Sequence, residues 1–176
     1  LDPAKVILWG SSFSGGHVIH TAAADGKIAA VIAQCPFTDG LASLFKVNPL
    51  TSIKLTVLGL ADVARSLLGV TPVTVRIAGP RGSAALMTAK DAEAGYLGLV
   101  PPKYPFKNYV AARFALNIAL YRPGKKTTKL FCPILFCVCE TDTVAPAGPT
   151  LHYAKRAMDA EIHIFQEGHF DIYVGE

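Results

Sequence analysis

Charge is scarce in this chain. Of 176 residues only 17% are charged, against 51% apolar, which excludes a disordered chain or a solvated tail. Long hydrophobic runs are missing as well. No stretch long enough to span a bilayer is free of a charge, a glycine-rich turn or a proline, so nothing reads as a membrane span. Glycine and proline have no period, which excludes collagen-like and low-complexity readings. No Cys-x-x-Cys pair and no His-x-His cluster offers a zinc spacing, so neither metal nor cofactor is expected. No internal repeat is visible. The chain opens Leu1-Asp2-Pro3, with no Met, no basic leader and no small-residue cleavage site.

Acids are missing from one long stretch. Between Glu93 and Glu140 there is none, but seven cations stand there: Lys103, Lys107, Arg113, Arg122, Lys125, Lys126 and Lys129. The simple reading is a solvated face, or one that pairs with acids outside this chain. The sharper one is an attractor for anionic substrates. The cations form no tight block and no binding motif accompanies them, which argues against nucleic acid. The four cysteines, Cys35, Cys132, Cys137 and Cys139, read as reduced, buried thiols of a cytoplasmic protein.

What is present is a buried α/β pattern. Lys5-Val-Ile-Leu-Trp9 suits a strand buried on both faces. An Ala-rich helix to Ala24 follows, stopped at Asp25-Gly26, and then a second strand over Lys27–Ala33. Strand, helix and strand in so short a span make a βαβ unit with parallel neighbours. The middle reads as mostly helical, over Gly40–Lys46, Leu50–Leu68, Ala84–Ala94 and Asn108–Tyr121, with one half-exposed strand at Val73–Ile77. The core pattern resumes with a strand at Pro133–Cys139, a helix at Thr150–Met158 and a strand at Glu161–Phe165.

The strongest motif is Gly10-Ser11-Ser12-Phe13-Ser14-Gly15-Gly16, set between a strand and a helix. A nucleophile on such a tight turn needs small neighbours two residues away on either side. Gly10 and Ser14 meet that need around Ser12, and the helix N-terminus behind it favours developing negative charge. The N–H of Phe13 then becomes an oxyanion donor. Ser14 is the rival nucleophile. The Walker pattern is absent, because no Gly-Lys-Ser/Thr follows.

A serine needs a base, and the base an orienting acid. His17 and His20 fall on the helix after the turn, His152 on a surface helix and His163 inside a strand. His169 follows the last strand in a Glu-Gly-His-Phe loop, where sites of open α/β sheets lie. Asp142, just past the third core strand, is the candidate acid, with Glu140 and Asp39 as rivals. The order Ser…Asp…His is one that the strand–turn–helix motif uses.

These segments, Leu8-Trp-Gly-Ser-Ser-Phe-Ser-Gly-Gly-His17, Glu140-Thr-Asp-Thr-Val-Ala-Pro146 and Glu167-Gly-His-Phe-Asp-Ile-Tyr173, resemble the α/β-hydrolase superfamily. The likeness is to its bacterial serine-peptidase-like and dienelactone-hydrolase-like members. The resemblance implies a three-layer α/β fold with a mostly parallel sheet and a helical cap insertion. Hydrolase core would occupy 1–37 and 129–176, and the cap 38–128. It implies Ser12 as nucleophile, Asp142 as acid and His169 as base, cleaving an ester, thioester or amide of a small-molecule acyl substrate. Tyr96, Tyr104, Phe106 and Tyr109 are candidates for a cap pocket. An acyltransferase on the same residues, or a non-catalytic binding module, are the competing classes. The resemblance also implies strands and an oxyanion loop before the turn, and a helix after the histidine. Apart from the strand at 5–9 none of these is found in the sequence, so the expectation is a C-terminal portion. The strand at 5–9 would then have an unpaired edge, and the bare chain would be poorly soluble or nearly inactive.

Overall fold

The computed structural model describes Asp2 and residues 5–174. Its main sheet has four parallel strands among the described residues. They are β1 (Ile7–Ser11), β2 (Ala30–Gln34), β6 (Ile134–Cys139) and β7 (Ala160–Phe165), in the order β1-β2-β6-β7. Helix α1 (Phe13–Ala24) crosses from β1 to β2, and α6 (Ala147–Ala154) from β6 to β7. Such crossovers keep neighbouring strands parallel and aim every strand's carboxyl end at one edge. α1 buries Gly15, Gly16, Ile19 and Ala22, one stripe at helical spacing. That stripe lies on Val31, Ala33, Ile134, Phe136 and Val138, which form the core with Leu130 and Ala154.

Between β2 and β6 the chain builds a second layer. It contains α2 (Gly40–Leu44), α3 (Pro49–Leu67), β3 (Thr74–Ala78), β4 (Ala85–Met87), α4 (Ala92–Gly98), β5 (Tyr109–Ala111) and α5 (Phe114–Ile118). Its strands form a small sheet of order β4-β3-β5, with β3 parallel to β4 and antiparallel to β5. α3 begins where the Asn48 side chain accepts from the Leu50 N–H with Pro49 in the first turn, and stops before Gly69 at φ 66°. Leu55, Val75 and Ala112 make the small core of this layer. A 3₁₀ segment over Pro123–Lys129 leads back to β6.

Several expectations need correction. Ala84–Ala94 and Asn108–Tyr121 are not continuous helices, because each begins with a strand of the small sheet. Pairing to β3 supplies backbone partners that outweigh the helix propensity of their alanines. Residues 5–9 are not buried on both faces: Ile7 and Trp9 are 59% and 62% exposed. β1 bonds to β2 on one side and packs α1 on one face, which leaves its other face open. Among the described residues two of the seven cations pair inside the chain, Arg113 with Asp62 at 3.5 Å and Arg122 with Asp39 at 2.7 Å. Among the described residues the four cysteines are free thiols. None of those residues forms a helix long and apolar enough to cross a membrane.

Candidate active site

The carboxyl ends of β1, β6 and β7 carry the three residues singled out in the sequence. Ser12 follows β1 directly and has φ 54°, a conformation that few non-glycine residues adopt. The strain is held by neighbours: the Ser12 N–H donates to the Gln34 carbonyl at 2.9 Å, and the Ser12 carbonyl accepts from Phe37 at 2.8 Å and Gly15 at 3.0 Å. Gly10 is where the turn needs glycine. A Cβ there would stand 2.3 Å from the Ser14 carbonyl oxygen, so the strand could not pass so close to the helix start.

A continuous hydrogen-bonded chain starts at that turn. Ser12 Oγ lies 2.8 Å from His169 Nε2, and His169 Nδ1 lies 2.7 Å from Asp142 Oδ2. A carboxylate can only accept, so Nδ1–H donates to it and Nε2 is left to accept the serine proton. Asp142 is itself fixed. Its other oxygen accepts from the Val144 and Ala145 N–H groups at 2.8 and 2.6 Å. The side chains of His169 and Asp142 are only 2% and 1% exposed. Burial penalises the imidazolium, but the hydrogen bond and charge of Asp142 outweigh it, so the pKa of His169 lies above its ordinary value.

The structure also separates these residues from their rivals. Ser14 Oγ turns back on the strand end, donating to the Ser11 carbonyl at 2.7 Å and accepting its N–H at 2.9 Å. Glu140 is exposed. Asp39 caps α2 and holds Arg122 and Tyr153. His17 bonds to the Tyr121 hydroxyl at 2.7 Å, and His163 pairs with Glu161 at 2.6 Å. His20 and His152 are exposed.

Sequence reading missed what lies under this chain. Beneath it, Cys35 at φ 33° ends the bend after β2, with its Sγ 3.5 Å from both Ser11 Oγ and Tyr173 Oη. A hydrogen bond from Cys139 is the main cause that draws the Cys35 thiol down to about 6. Burial opposes the shift, and His169, Ser11 and Tyr173 add to it. The same bond, with burial, pushes the Cys139 thiol up. Ligand atoms of Cys35, Asp142 and His169 lie within 4.8 Å of one another, a spacing that could suit a metal. The ring nitrogens of His169 are already engaged by Asp142 and Ser12, so this donor set does not fit a metal without breaking that chain.

Above the serine lies a cavity of about 820 Å³ with a mostly apolar lining, which includes Phe13, Leu55, Leu86, Tyr96, Val110 and Phe114. Phe13 packs against Phe37, Phe114 and Tyr121 at centroid distances of 5.1, 5.5 and 5.1 Å. Burial pushes the Tyr121 hydroxyl up to about 12. Of the aromatics expected at a pocket, Tyr96 lines it with Phe106 5.8 Å behind. Tyr104 and Tyr109 are 65% and 59% exposed and do not line it. Their spacing in the sequence could not show which face the small sheet turns inward.

No family model matches the sequence. The quorum-quenching protein AidA of Acinetobacter baumannii is 53% identical over 176 residues, which is 100% of this chain and 58% of AidA. The chain therefore spans somewhat over half the length of that relative. The α/β hydrolase GrgF of Penicillium sp. sh18 superimposes with a TM-score of 0.74 at 21% identity, covering 97% of this chain and 58% of GrgF. The monoacylglycerol lipase of Paleococcus ferrophilus does so at 0.62 and 18% identity, covering 93% of this chain and 59% of the lipase. The parallel sheet, the strained serine turn after β1 and these likenesses agree: this chain has the α/β-hydrolase fold.

Proposed function

We propose that the chain carries the reaction centre of a serine hydrolase that cleaves a carboxylic ester, thioester or amide through an acyl-enzyme. The observation that carries this reading is the buried chain Ser12–His169–Asp142 at the floor of an apolar cavity. His169 Nε2 takes the proton of Ser12 as Oγ attacks the acyl carbonyl. Asp142 holds the imidazole tautomer and stabilises its cation. The Phe13 N–H, first in α1 and without a partner within its own helix, faces the developing oxyanion. Return of the proton to the leaving group frees it. Water, deprotonated by the same imidazole, then releases the acid.

Residues 38–128 act as the cap in this reading. They supply the apolar walls, which suits a small molecule with a hydrophobic acyl part. The identity to AidA supports quorum quenching as the biological setting, achieved by hydrolysis of an acyl bond in a small signal. A panel of aryl esters of increasing acyl length tests the reading. Turnover should rise with chain length until the cavity is filled, and a flat response would count against an acyl pocket.

Two results should follow from the geometry. Asp142→Asn keeps an acceptor oxygen but can present an N–H to the imidazole and force the wrong tautomer. We expect kcat to fall about 10⁴-fold, as for removal of the acid's charge in such triads, while KM stays within a few-fold. The second concerns pH. The base must be neutral, so kcat/KM rises as pH rises through the pKa of His169, which lies above its ordinary value. An ionised Cys35 favours the imidazolium. Cys35→Ala should therefore move this limb to lower pH, with the plateau rate retained. Profiles recorded between about pH 5 and 9 decide it; a limb that moves up would contradict the sign.

A further inference from the structure

α3 has a buried face and, opposite it, an exposed apolar one. Its inner face, with Thr51, Leu55, Gly59 and Asp62, is buried within its own layer. Its outer face carries Leu50, Ile53, Val57, Leu60, Ala64 and Leu67. Their spacing is three, four, three, four and three, the a/d rhythm of a heptad. The five larger ones are 54%, 61%, 61%, 58% and 83% exposed, and Leu68 beside them is 77% exposed.

This stripe differs from scattered surface leucines in its period. Apolar positions at alternating steps of three and four form a continuous stripe along one side of the helix, a shape that a second helix can meet along its whole length. A membrane surface would favour a fringe of free cations along the stripe. Lys54, next to the stripe, instead donates to the Gly82 carbonyl at 2.8 Å. Arg65, on the flank, donates to the Thr71 carbonyl at 2.8 Å and its hydroxyl at 3.0 Å. With both cations of α3 turned back on their own chain, they do not oppose each other when two such stripes meet.

The area also fits. At about 25 cal/mol per Å², a buried aliphatic side chain hides on the order of 100 Å². Leu50, Ile53, Val57, Leu60, Leu67 and Leu68 would then remove roughly 600 Å² per partner, about 1,200 Å² in all, which reaches the range of specific interfaces. We infer that the outer face of α3 is a dimerisation surface whose occupant is α3 of a second copy of this chain, paired about a two-fold axis. The inference does not depend on the proposed hydrolase activity. Ile53, Val57 and Leu60 do not line the cavity.

The test is sedimentation equilibrium of the purified protein from about 1 to about 100 µM, a range over which a two-fold assembly of this size must show mass action. The wild type should approach twice the single-chain mass. The double variant Ile53→Glu/Leu60→Glu should keep the single-chain mass throughout, with an unchanged far-UV circular dichroism spectrum. The milder Val57→Lys, also at the surface, should weaken association if the double variant loses structure. A wild type that stays monomeric overturns the inference, as does dimer mass that persists in both variants. A monomeric wild type that binds phosphatidylglycerol vesicles through this face also overturns it, in favour of a lipid surface.

Discussion

Ser12→Ala should abolish turnover and covalent labelling together. Removing the nucleophile of a serine–histidine pair costs about 10⁶-fold in kcat where such units have been dissected. The same magnitude is expected here, because the neighbouring hydroxyls are engaged elsewhere. Ser14 is bonded at both ends to Ser11. Ser11 Oγ lies beside Cys35 and Tyr173 instead of His169. A fluorophosphonate probe should therefore label the wild type and Ser14→Ala, and leave Ser12→Ala unlabelled. Mass spectrometry of the labelled peptide reads the position directly. Label on Ser14, or a Ser12→Ala protein with wild-type esterase activity, would remove the central assignment. Folding should not suffer, since the substituted alanine would keep the backbone bonds to Gln34, Phe37 and Gly15. Loss of a hydroxyl from a strained turn leaves the strain unchanged.

Asp39→Ala should give the largest loss of stability. Asp39 is buried, and its Oδ1 caps α2 by accepting from the Leu41 and Ala42 N–H groups, each at 3.1 Å. Its Oδ2 accepts from Arg122 Nη2 at 2.7 Å and from the Tyr153 hydroxyl at 2.6 Å. Alanine removes a cap contributing about 1 kcal/mol and leaves a buried hydroxyl short of its partner at a further cost of about 1–3 kcal/mol. The sum is about 3 kcal/mol, before anything lost with Arg122. For a domain of this size that lowers Tm by roughly 6–12 °C. Asp39→Asn retains the cap oxygen and should lose less. Exposed Glu140→Ala should stay within about 0.5 kcal/mol. Thermal unfolding of the three variants ranks them, and an Asp39→Ala protein that melts with the wild type would show the network to be idle.

The pH dependence of this contribution has a definite sign. Burial raises the Asp39 carboxyl pKa, but the hydrogen bonds of Arg122 and Tyr153 outweigh that, and the net shift is downward from 3.8. A depressed carboxylate stabilises the fold above its unfolded pKa. The stabilisation is lost as pH falls through the lower, folded value. The Asp39 contribution is therefore complete at neutral pH and disappears only in acid below about 3.8.

Asp39 also shows where the sequence stopped being decisive. It lies just past β2, a position as suitable for an acid partner as that of Asp142 past β6. Both are aspartates in turns after core strands, and the local chemistry of the two turns is alike. What separates them is distance across the fold. β6 runs between β2 and β7, so its carboxyl end delivers Asp142 to the His169 loop, while the chain leaving β2 turns towards Arg122 at the stem of residues 38–128. The stem is closed by Gly40 N–H to the Tyr121 carbonyl and Gly124 N–H to the Thr38 carbonyl, each at 2.9 Å. None of these pairings is local in sequence.

The sequence by itself determined whatever depends on a few neighbouring residues. Gly10 to Gly16 could be read as a strained turn because its steric demands fall within a span of seven residues. The main strands were legible because unbroken apolar runs bounded by glycine and proline suit a sheet covered by helices. The tertiary structure decided what depends on partners far along the chain. It made strands of Ala85–Met87 and Tyr109–Ala111, where the alanine content alone pointed to helix. It opened one face of β1 and placed Cys35 beneath His169. It also left the outer apolar stripe of α3 at the surface, which the helical pattern of Leu50–Leu68 alone does not decide. The physical reason is the same in each case: side-chain period fixes which residues share a face, but only packing decides what that face meets.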